Sequence, residues 1–161
     1  MLTQIIELHL YAIELKLKSY ERVKKEDNYY SPCIYGDDAK GVEKGNIIDD
    51  ELYNIGNYYS DKIIAKNNAR ADRLLRKLRQ WQAQNDEVIS KEDWNNESKK
   101  KWFIIYSSEE MYAEYYYIMR LPNTIYFTTK EKAEEAIEVF RDELLWYFTE
   151  YVQRLDEVQN G

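Results

Sequence analysis

The first apolar pattern in the chain is helical. Positions 6, 10, 13, 17 and 20 are apolar or aromatic and follow a four-three-four-three spacing, which places them on one face of a helix. A second apolar row widens that face. The pattern predicts an N-terminal helix over residues 1–27. Two interpretations of its apolar face remain: docking onto the chain's own sheet, or dimerisation with a second copy through a short coiled coil.

Short β-prone segments and a second helix follow. Residues 29–35 are rich in β-forming side chains, and the polar residues 38–54 predict a loop with at most a weak strand. A short strand at 57–59 then leads into a predicted helix, which begins with Ser60 or Asp61 as its N-cap.

The second half of the chain has a similar order. A polar connector leads to short apolar segments, and the hydroxyl of Thr128 followed by Glu131 matches a capping box at the start of the last helix. That helix carries an apolar stripe that extends to Leu155. Strands are predicted at 102–106, 112–119 and 125–127.

The match between the two halves predicts an internal repeat. Residues 57–65 align with residues 125–133 at a constant offset of 68, and both segments place an aromatic pair, a hydroxyl residue, a lysine and an alanine at equivalent positions. We therefore predict an α+β fold, in which an N-terminal helix precedes two small repeated modules of antiparallel strands plus one helix. The predicted boundaries are 1–27 for the helix, 28–84 for the first module, 85–101 for a connector and 102–161 for the second module.

Composition narrows the class of protein. With five Gly and two Pro among 161 residues, few loops are expected, and sixteen Tyr argue against a disordered chain. No stretch is apolar enough for a transmembrane helix, and the N-terminus lacks the order of a signal peptide. The single Cys excludes an internal disulfide and fits a reducing cytoplasm. The net charge of −7 disfavours general binding to nucleic-acid phosphates.

Residues suited to catalysis are scarce. His9 lies in an apolar helical pattern without a nucleophilic partner, and Cys33 lies among β-prone aromatics. The sequence has no Gly-rich phosphate loop and no Cys/His metal spacing, and the acidic clusters at 37–38 and 49–51 lack the alternation of a calcium loop. We therefore expect no enzyme activity, no cofactor and no metal, and we expect both acidic clusters to lie in solvated loops.

The placement of charge along the last helix is more informative than net charge. On a helical wheel, four acidic residues fall opposite the apolar stripe, with neighbours about 5–6 Å apart. This spacing is close to that of successive phosphates, so the row is a candidate mimic of a nucleic-acid backbone; an ordinary solvated helix face gives the same pattern. The predicted partner-binding residues are Glu131, Glu135, Glu138 and Asp142, with Tyr115 and Tyr117 as exposed aromatic anchors.

The middle helix carries the opposite charge. Residues 62–79 contain seven basic residues and one acidic residue, so this segment is near +6 and the rest of the chain near −13. The basic side has three interpretations: it binds a phosphate backbone, recruits an acidic partner, or pairs with the acidic row of the same chain. The candidate basic face consists of Lys66, Arg70, Arg73, Arg76 and Lys77.

Several short motifs resemble those of small accessory proteins from phages and prophages of Gram-positive bacteria. They are Gly-Asn-Tyr-Tyr-Ser at 56–60, Asp-Trp-Asn-Asn at 93–96, Lys-Trp-Phe-Ile at 101–104, and a Tyr-Phe-Thr motif followed by a helix with regularly placed Ala and Ile at 126–137. The resemblance covers roughly residues 28–148. The chain departs from the pattern in its first half, where a basic helix replaces the usual Glu-rich start.

This resemblance implies a product of a mobile genetic element, and such products are often inhibitors of host defence, as the anti-CRISPR proteins are. It implies a non-enzymatic inhibitor in the cytoplasm of a bacterial host, with a defence protein such as an RNA-guided nuclease as partner. Inhibition would act by excluding DNA or by blocking a domain movement. The alternatives are a nucleic-acid-binding regulator that uses the basic helix, an oligomeric phage structural protein that assembles through residues 1–27, and a small-molecule sponge.

Overall fold

The computed structural model describes residues 20–32 and 38–151. Two antiparallel hairpins and the helices confirm the predicted α+β class. The described residues divide into two compact units: those up to residue 71 together with Tyr151, and residues 72–150. The elements are β1 (Asn28–Pro32), β2 (Asp38–Val42), α1 (Ile47–Asn54), α2 (Lys62–Asn85), α3 (Lys91–Asn95), β3 (Lys101–Ser107), β4 (Glu110–Tyr116), α4 (Lys130–Val139), α5 (Arg141–Trp146) and a π-helical turn at Tyr147–Tyr151.

The first unit is built on the β1–β2 hairpin and the start of α2. On the side away from β2, Tyr30 exchanges two backbone hydrogen bonds with Tyr59 (N···O 2.8 and 2.9 Å). Tyr59 packs in a small core with Ile64 and Ala65 of α2. Asp61, one of the two predicted caps, accepts two backbone N–H groups at the start of that helix (2.8 and 2.9 Å).

The predicted N-terminal helix does not extend to its predicted end. Residues 20–27 form turns and irregular backbone, so the predicted boundary at 27 is wrong. The ring of Tyr20, which the helical stripe included, packs edge-on against Tyr59 with ring centroids 5.5 Å apart. The remainder of the prediction, residues 1–19, lies outside the described residues.

The polar segment 38–54 is not the predicted loop, because it contains β2 and α1. Asn46 is the N-cap of α1, and its side chain accepts the N–H groups of Ile48 and Asp49. Asp49 completes a capping box and is 2% exposed, so the expectation that it is solvated is also wrong.

The second unit is built on the β3–β4 hairpin. Its two-residue turn, Ser108–Glu109, has positive φ angles of 54° and 66°, a turn type whose twist matches that of paired strands. The predicted third strand at 125–127 is reduced to one antiparallel bridge, in which Phe127 and Trp102 exchange backbone hydrogen bonds (2.7 and 3.0 Å).

The core of the second unit lies between the hairpin, α2 and α4. Small side chains let α4 approach the sheet closely, because interiors pack at high density and an alanine leaves little side chain between backbones. Phe127 fills the space beside them and is fully buried. The buried residues of this core are Leu74, Leu78, Ala113, Phe127, Ala133, Ala136 and Leu144.

The last helix is interrupted at Phe140. The backbone of Phe140 (φ −114°, ψ 18°) leaves the helical range, so α4 ends at Val139 and α5 begins at Arg141. The predicted stripe is therefore divided between two helices and a π-helical turn. Its end near Leu155 lies in residues 152–161, outside the described residues.

The N-cap of α4 is Thr129 rather than the predicted Thr128. The Thr129 hydroxyl accepts the N–H of Lys132 (3.2 Å). The N–H and hydroxyl of Thr128 instead donate to the carboxylate of Asp86. Because Thr128 is hydrogen-bonded to Asp86, it does not form the predicted capping box with Glu131.

Two pairs of residues separated by 68 positions have matching environments. Tyr59 and Phe127 each bridge to the first strand of a hairpin, and Ala65 and Ala133 are fully buried in the helix that follows. These matches agree with the predicted repeat, which stays a prediction.

Replacing Phe127 with Ala should destabilise the second unit by about 3–5 kcal/mol, because the substitution leaves a cavity in the core. The control Val139→Ala, at a side chain 59% exposed, should change the free energy of unfolding by less than about 0.5 kcal/mol. All four Trp residues lie in the second unit. Urea unfolding followed by Trp fluorescence therefore measures the free energy of unfolding of that unit. Equal effects of the two substitutions would contradict this assignment of the core.

Candidate binding site

A groove lies between α4 and β4, with several carboxylates in its wall. Its volume is about 570 Å³. Three of the four acidic residues predicted to bind a partner share this surface. We call it the acidic groove, and it is lined by Met111, Tyr112, Glu131, Glu134, Glu135, Ile137, Glu138 and Arg141.

The packing of α4 fixes the direction of these carboxylates. Ala133, Ala136 and Ile137 are buried. Since a helix turns once in about 3.6 residues, burying that face leaves Glu131 and Glu135 on the exposed face. The backbone that carries the carboxylates is already ordered, so binding a partner has to order only their side chains.

The acidic groove stays negative despite ion pairs within α4 and at the start of α5. Residues 130–143 contain six acidic and three basic residues, a net charge of −3. Exposed pairs of this kind contribute about 0–1 kcal/mol each, so a partner's Lys or Arg can replace them. The pairs are Lys130 with Glu134 (3.3 Å), Lys132 with Glu135 (2.8 Å), and Arg141 with Glu138.

Asp142 lies outside the acidic groove, beyond the interruption at Phe140. It lines a second groove of about 560 Å³, which we call the mixed groove because Arg73 and Lys77 of α2 line it too. Glu138 borders both grooves. Opposite charges of one chain therefore meet in the mixed groove, although within the described part of the chain Arg73 and Lys77 have no ion-pair partner within 4 Å.

The predicted aromatic anchors occupy different surroundings from the acidic row. The ring of Tyr115 lies 4.9 Å from that of Trp102 and 5.5 Å from that of Tyr117, and the ammonium of Lys100 lies 4.1 Å from the centre of the Tyr115 ring. Tyr112, 41% exposed, is the tyrosine that lines the acidic groove. The sequence could not distinguish these tyrosines, because their separation depends on the position of α4.

The basic residues of α2 fall into two groups, those with interaction partners and those without an ion-pair partner among the described residues. Lys66 and Arg70 have interaction partners. Arg73, Arg76 and Lys77 are exposed, and within residues 20–32 and 38–151 no carboxylate lies within ion-pair distance of them.

The first unit contains a buried carboxylate that the charge pattern did not reveal. Glu43 is 3% exposed. It accepts hydrogen bonds from Nε and Nη2 of Arg22 (2.9 and 2.8 Å) and from the hydroxyl of Tyr58 (2.8 Å). Arg22 and, less strongly, Tyr58 hold the pKa of Glu43 below its usual range, although burial acts in the opposite direction.

Asp49 is the second carboxylate of this cluster. It accepts hydrogen bonds from the Tyr29 hydroxyl (3.0 Å) and from the backbone N–H groups of Lys44 (2.8 Å) and Asn46 (3.2 Å). Burial raises the pKa of Asp49, but these hydrogen bonds together lower it below its usual range. The rings of Tyr29 and Tyr58 stack 4.3 Å apart and join the two carboxylates into one structural cluster. The capping-box spacing of Asn46 and Asp49 was the sequence signal for it.

Lys101 is a buried lysine in the second unit, 1% exposed. Its ammonium donates to the carbonyl oxygens of Asn96 (2.9 Å) and Tyr117. Burial lowers the pKa of Lys101, while the nearby Asp93 carboxylate opposes that shift. Because its donors are directed at backbone carbonyls, Lys101 holds the two ends of the hairpin in place.

The first unit should lose stability in acid. Since the pKa values of Glu43 and Asp49 are lower in the folded state than the unfolded values of about 4.3 and 3.9, their stabilisation is complete above about pH 5 and lost as the pH falls through the folded values. Urea unfolding from pH 7 to 2.5, followed by amide NMR signals of Tyr29 and Tyr58, measures this loss. Glu43→Gln should flatten the pH dependence; an unchanged slope would contradict the role of Glu43.

Among the described residues, no group of three or more His, Cys, Asp or Glu side chains is placed to hold a metal ion. No helix within the same residues has the length and apolar character of a membrane span. Comparison of the chain with known protein families, curated proteins and solved structures finds no significant match.

Proposed function

We propose that this protein is a non-enzymatic inhibitor that binds a positively charged, nucleic-acid-binding surface of another protein through the acidic groove. The observation that carries the proposal is the row of exposed carboxylates, Glu131, Glu135 and Glu138, on a helix whose opposite face is buried. Neighbours at these separations lie about 5–6 Å apart, and this spacing lets them occupy positions that phosphates take on the partner.

A bacterial defence nuclease is the partner class that we propose. RNA-guided nucleases hold nucleic acid in positively charged channels, and the net charge of −7 attracts the protein to such a surface over distances of about a Debye length. The same class is implied by the resemblance to phage accessory proteins. In this account the protein acts in the cytoplasm of a bacterial host and excludes DNA or guide-bound target from its channel.

Charge reversal of Glu131, Glu135 and Glu138 should strongly weaken inhibition without unfolding the protein. The triple variant Glu131→Lys, Glu135→Lys, Glu138→Lys should need at least about tenfold more protein for half-inhibition of DNA cleavage by a purified RNA-guided nuclease, because charge pairs at protein interfaces contribute more than about 1 kcal/mol each. Asp142→Lys should have a smaller effect, since Asp142 lies in the mixed groove.

The matched control is the triple variant Glu87→Lys, Glu92→Lys, Glu97→Lys, which changes the net charge equally at three exposed positions outside both grooves. It should inhibit nearly as well as the unmodified chain. If the two triple variants lose inhibition equally, overall charge rather than the acidic groove is responsible. If the acidic-row variant inhibits fully, the proposal is wrong.

A second candidate function is nucleic-acid binding through α2. The observation that favours it is the exposure of Arg73, Arg76 and Lys77 without ion-pair partners in the described part of the chain. Phosphate contacts by these residues would make the binding constant for a DNA duplex fall steeply with salt, with a logarithmic slope of about −0.9 per phosphate neutralised. Reversing their charge should remove that slope; weak binding with a flat salt dependence would exclude this function.

A further inference from the structure

β4 has an outer edge that pairs with no other strand in the described part of the chain. Trp102 directs its N–H and carbonyl to Phe127, on the side of β3 away from β4. In an antiparallel pair, two opposite residues either exchange backbone hydrogen bonds with each other or both direct their backbone N–H and carbonyl groups away from the partner strand. Tyr115, opposite Trp102, therefore points its N–H and carbonyl away from β3, and by alternation Ala113 and Met111 do the same.

These outward groups are available for a further strand. Within the described part of the chain, the backbone groups of Met111 and Ala113 have no partner along that edge. The N–H of Tyr115 donates to the carboxylate of Glu114 (2.9 Å), a side-chain contact that an incoming carbonyl can replace. β4 also contains neither Lys nor Pro, which commonly protect exposed edges.

The acidic groove runs beside this edge. Met111 and Tyr112 of β4 form one wall, and the glutamates of α4 form the other. A strand paired with β4 would lie about 4.8 Å from it, which places the strand at the groove. Met111 and Ala113 pack on the side where α4 lies, so alternate side chains of the added strand would point to Glu131, Glu135 and Glu138.

We infer that the edge of β4 and the acidic groove together receive an extended segment of the partner, in which Lys or Arg alternate with apolar residues. The segment adds as a third strand: its backbone pairs with Met111, Ala113 and Tyr115, and its basic side chains meet the α4 glutamates. This inference rests on the proposed function and specifies the part of the partner that is bound.

The negative charge of α4 argues against a second copy of this chain as the strand that pairs with β4. Antiparallel pairing of β4 with its counterpart would place the two α4 helices on the same face of a joined sheet. Each copy carries a net charge of −3 over residues 130–143, and like charges at such a contact are unfavourable. A basic segment meets the same surface with complementary charge.

Binding of synthetic peptides to the full-length protein tests the inference. The probe is a nine-residue peptide with alternating Lys and Val. Its controls are the same peptide with every backbone amide N-methylated, which keeps the charge and removes backbone donors, and the same peptide with Glu in place of Lys. Calorimetric titration gives the affinities, and amide hydrogen exchange gives the position of binding.

The Lys-Val peptide should bind at least tenfold more tightly than the N-methylated and Glu controls, and it should slow exchange of the Met111 and Ala113 amides. Glu131→Lys combined with Glu135→Lys should weaken its binding at least tenfold. Met111→Pro should do the same while leaving the β3–β4 pairing intact, because the N–H that it removes points outward and Pro is tolerated at such an edge position.

Equal affinity of the unmodified and N-methylated Lys-Val peptides, without slowed exchange in β4, would overturn the inference while leaving the acidic groove as the functional surface. Absence of binding at about 1 mM peptide, or slowed exchange of these amides with rising protein concentration alone, would also overturn it. The nuclease assay with the acidic-row variant decides the proposed function separately, because it does not depend on the edge of β4.

Discussion

The close contact between the alanine face of α4 and the β3–β4 hairpin determines the candidate binding surface of the second unit. Ala133, Ala136 and Phe127 are fully buried there. Because this contact fixes the rotation of α4 about its axis, the glutamates of the helix must face solvent beside the edge of β4. A larger residue at either alanine would displace the helix and, with it, the carboxylate row.

Charge has different roles in the two units. In the first unit, Glu43 and Asp49 are buried, fully hydrogen-bonded and joined by stacked tyrosines, so they stabilise the turn that precedes α1. In the second unit, the glutamates of α4 are exposed and form only weak ion pairs with neighbouring Lys and Arg side chains. Because these surface ion pairs contribute little to folding, the glutamates can give up their intramolecular partners for basic residues of a binding partner.

The sequence predicted those elements that depend on periodicity and capping within one segment of the chain. Helix α2 with its Asp61 cap follows from periodicity and capping, and the carboxylate row follows from the helical wheel. The interruption at Phe140 was not predictable, because neither Gly nor Pro marks it and the Phe140 side chain packs against a core built from distant segments. The same limit applies to Met111 and Tyr112, whose place beside α4 depends on contacts distant in sequence. By contrast, α1 was missed although its capping box is a local signal.

Competition with nucleic acid tests the central claim most directly, namely that the acidic groove occupies a basic surface that otherwise binds phosphates. The measurement is the apparent dissociation constant of a purified RNA-guided nuclease for its target DNA, at increasing concentrations of this protein. The account predicts that this constant rises in proportion to the concentration of the protein and that no complex contains both the protein and DNA. A stable ternary complex with an unchanged dissociation constant would contradict the account.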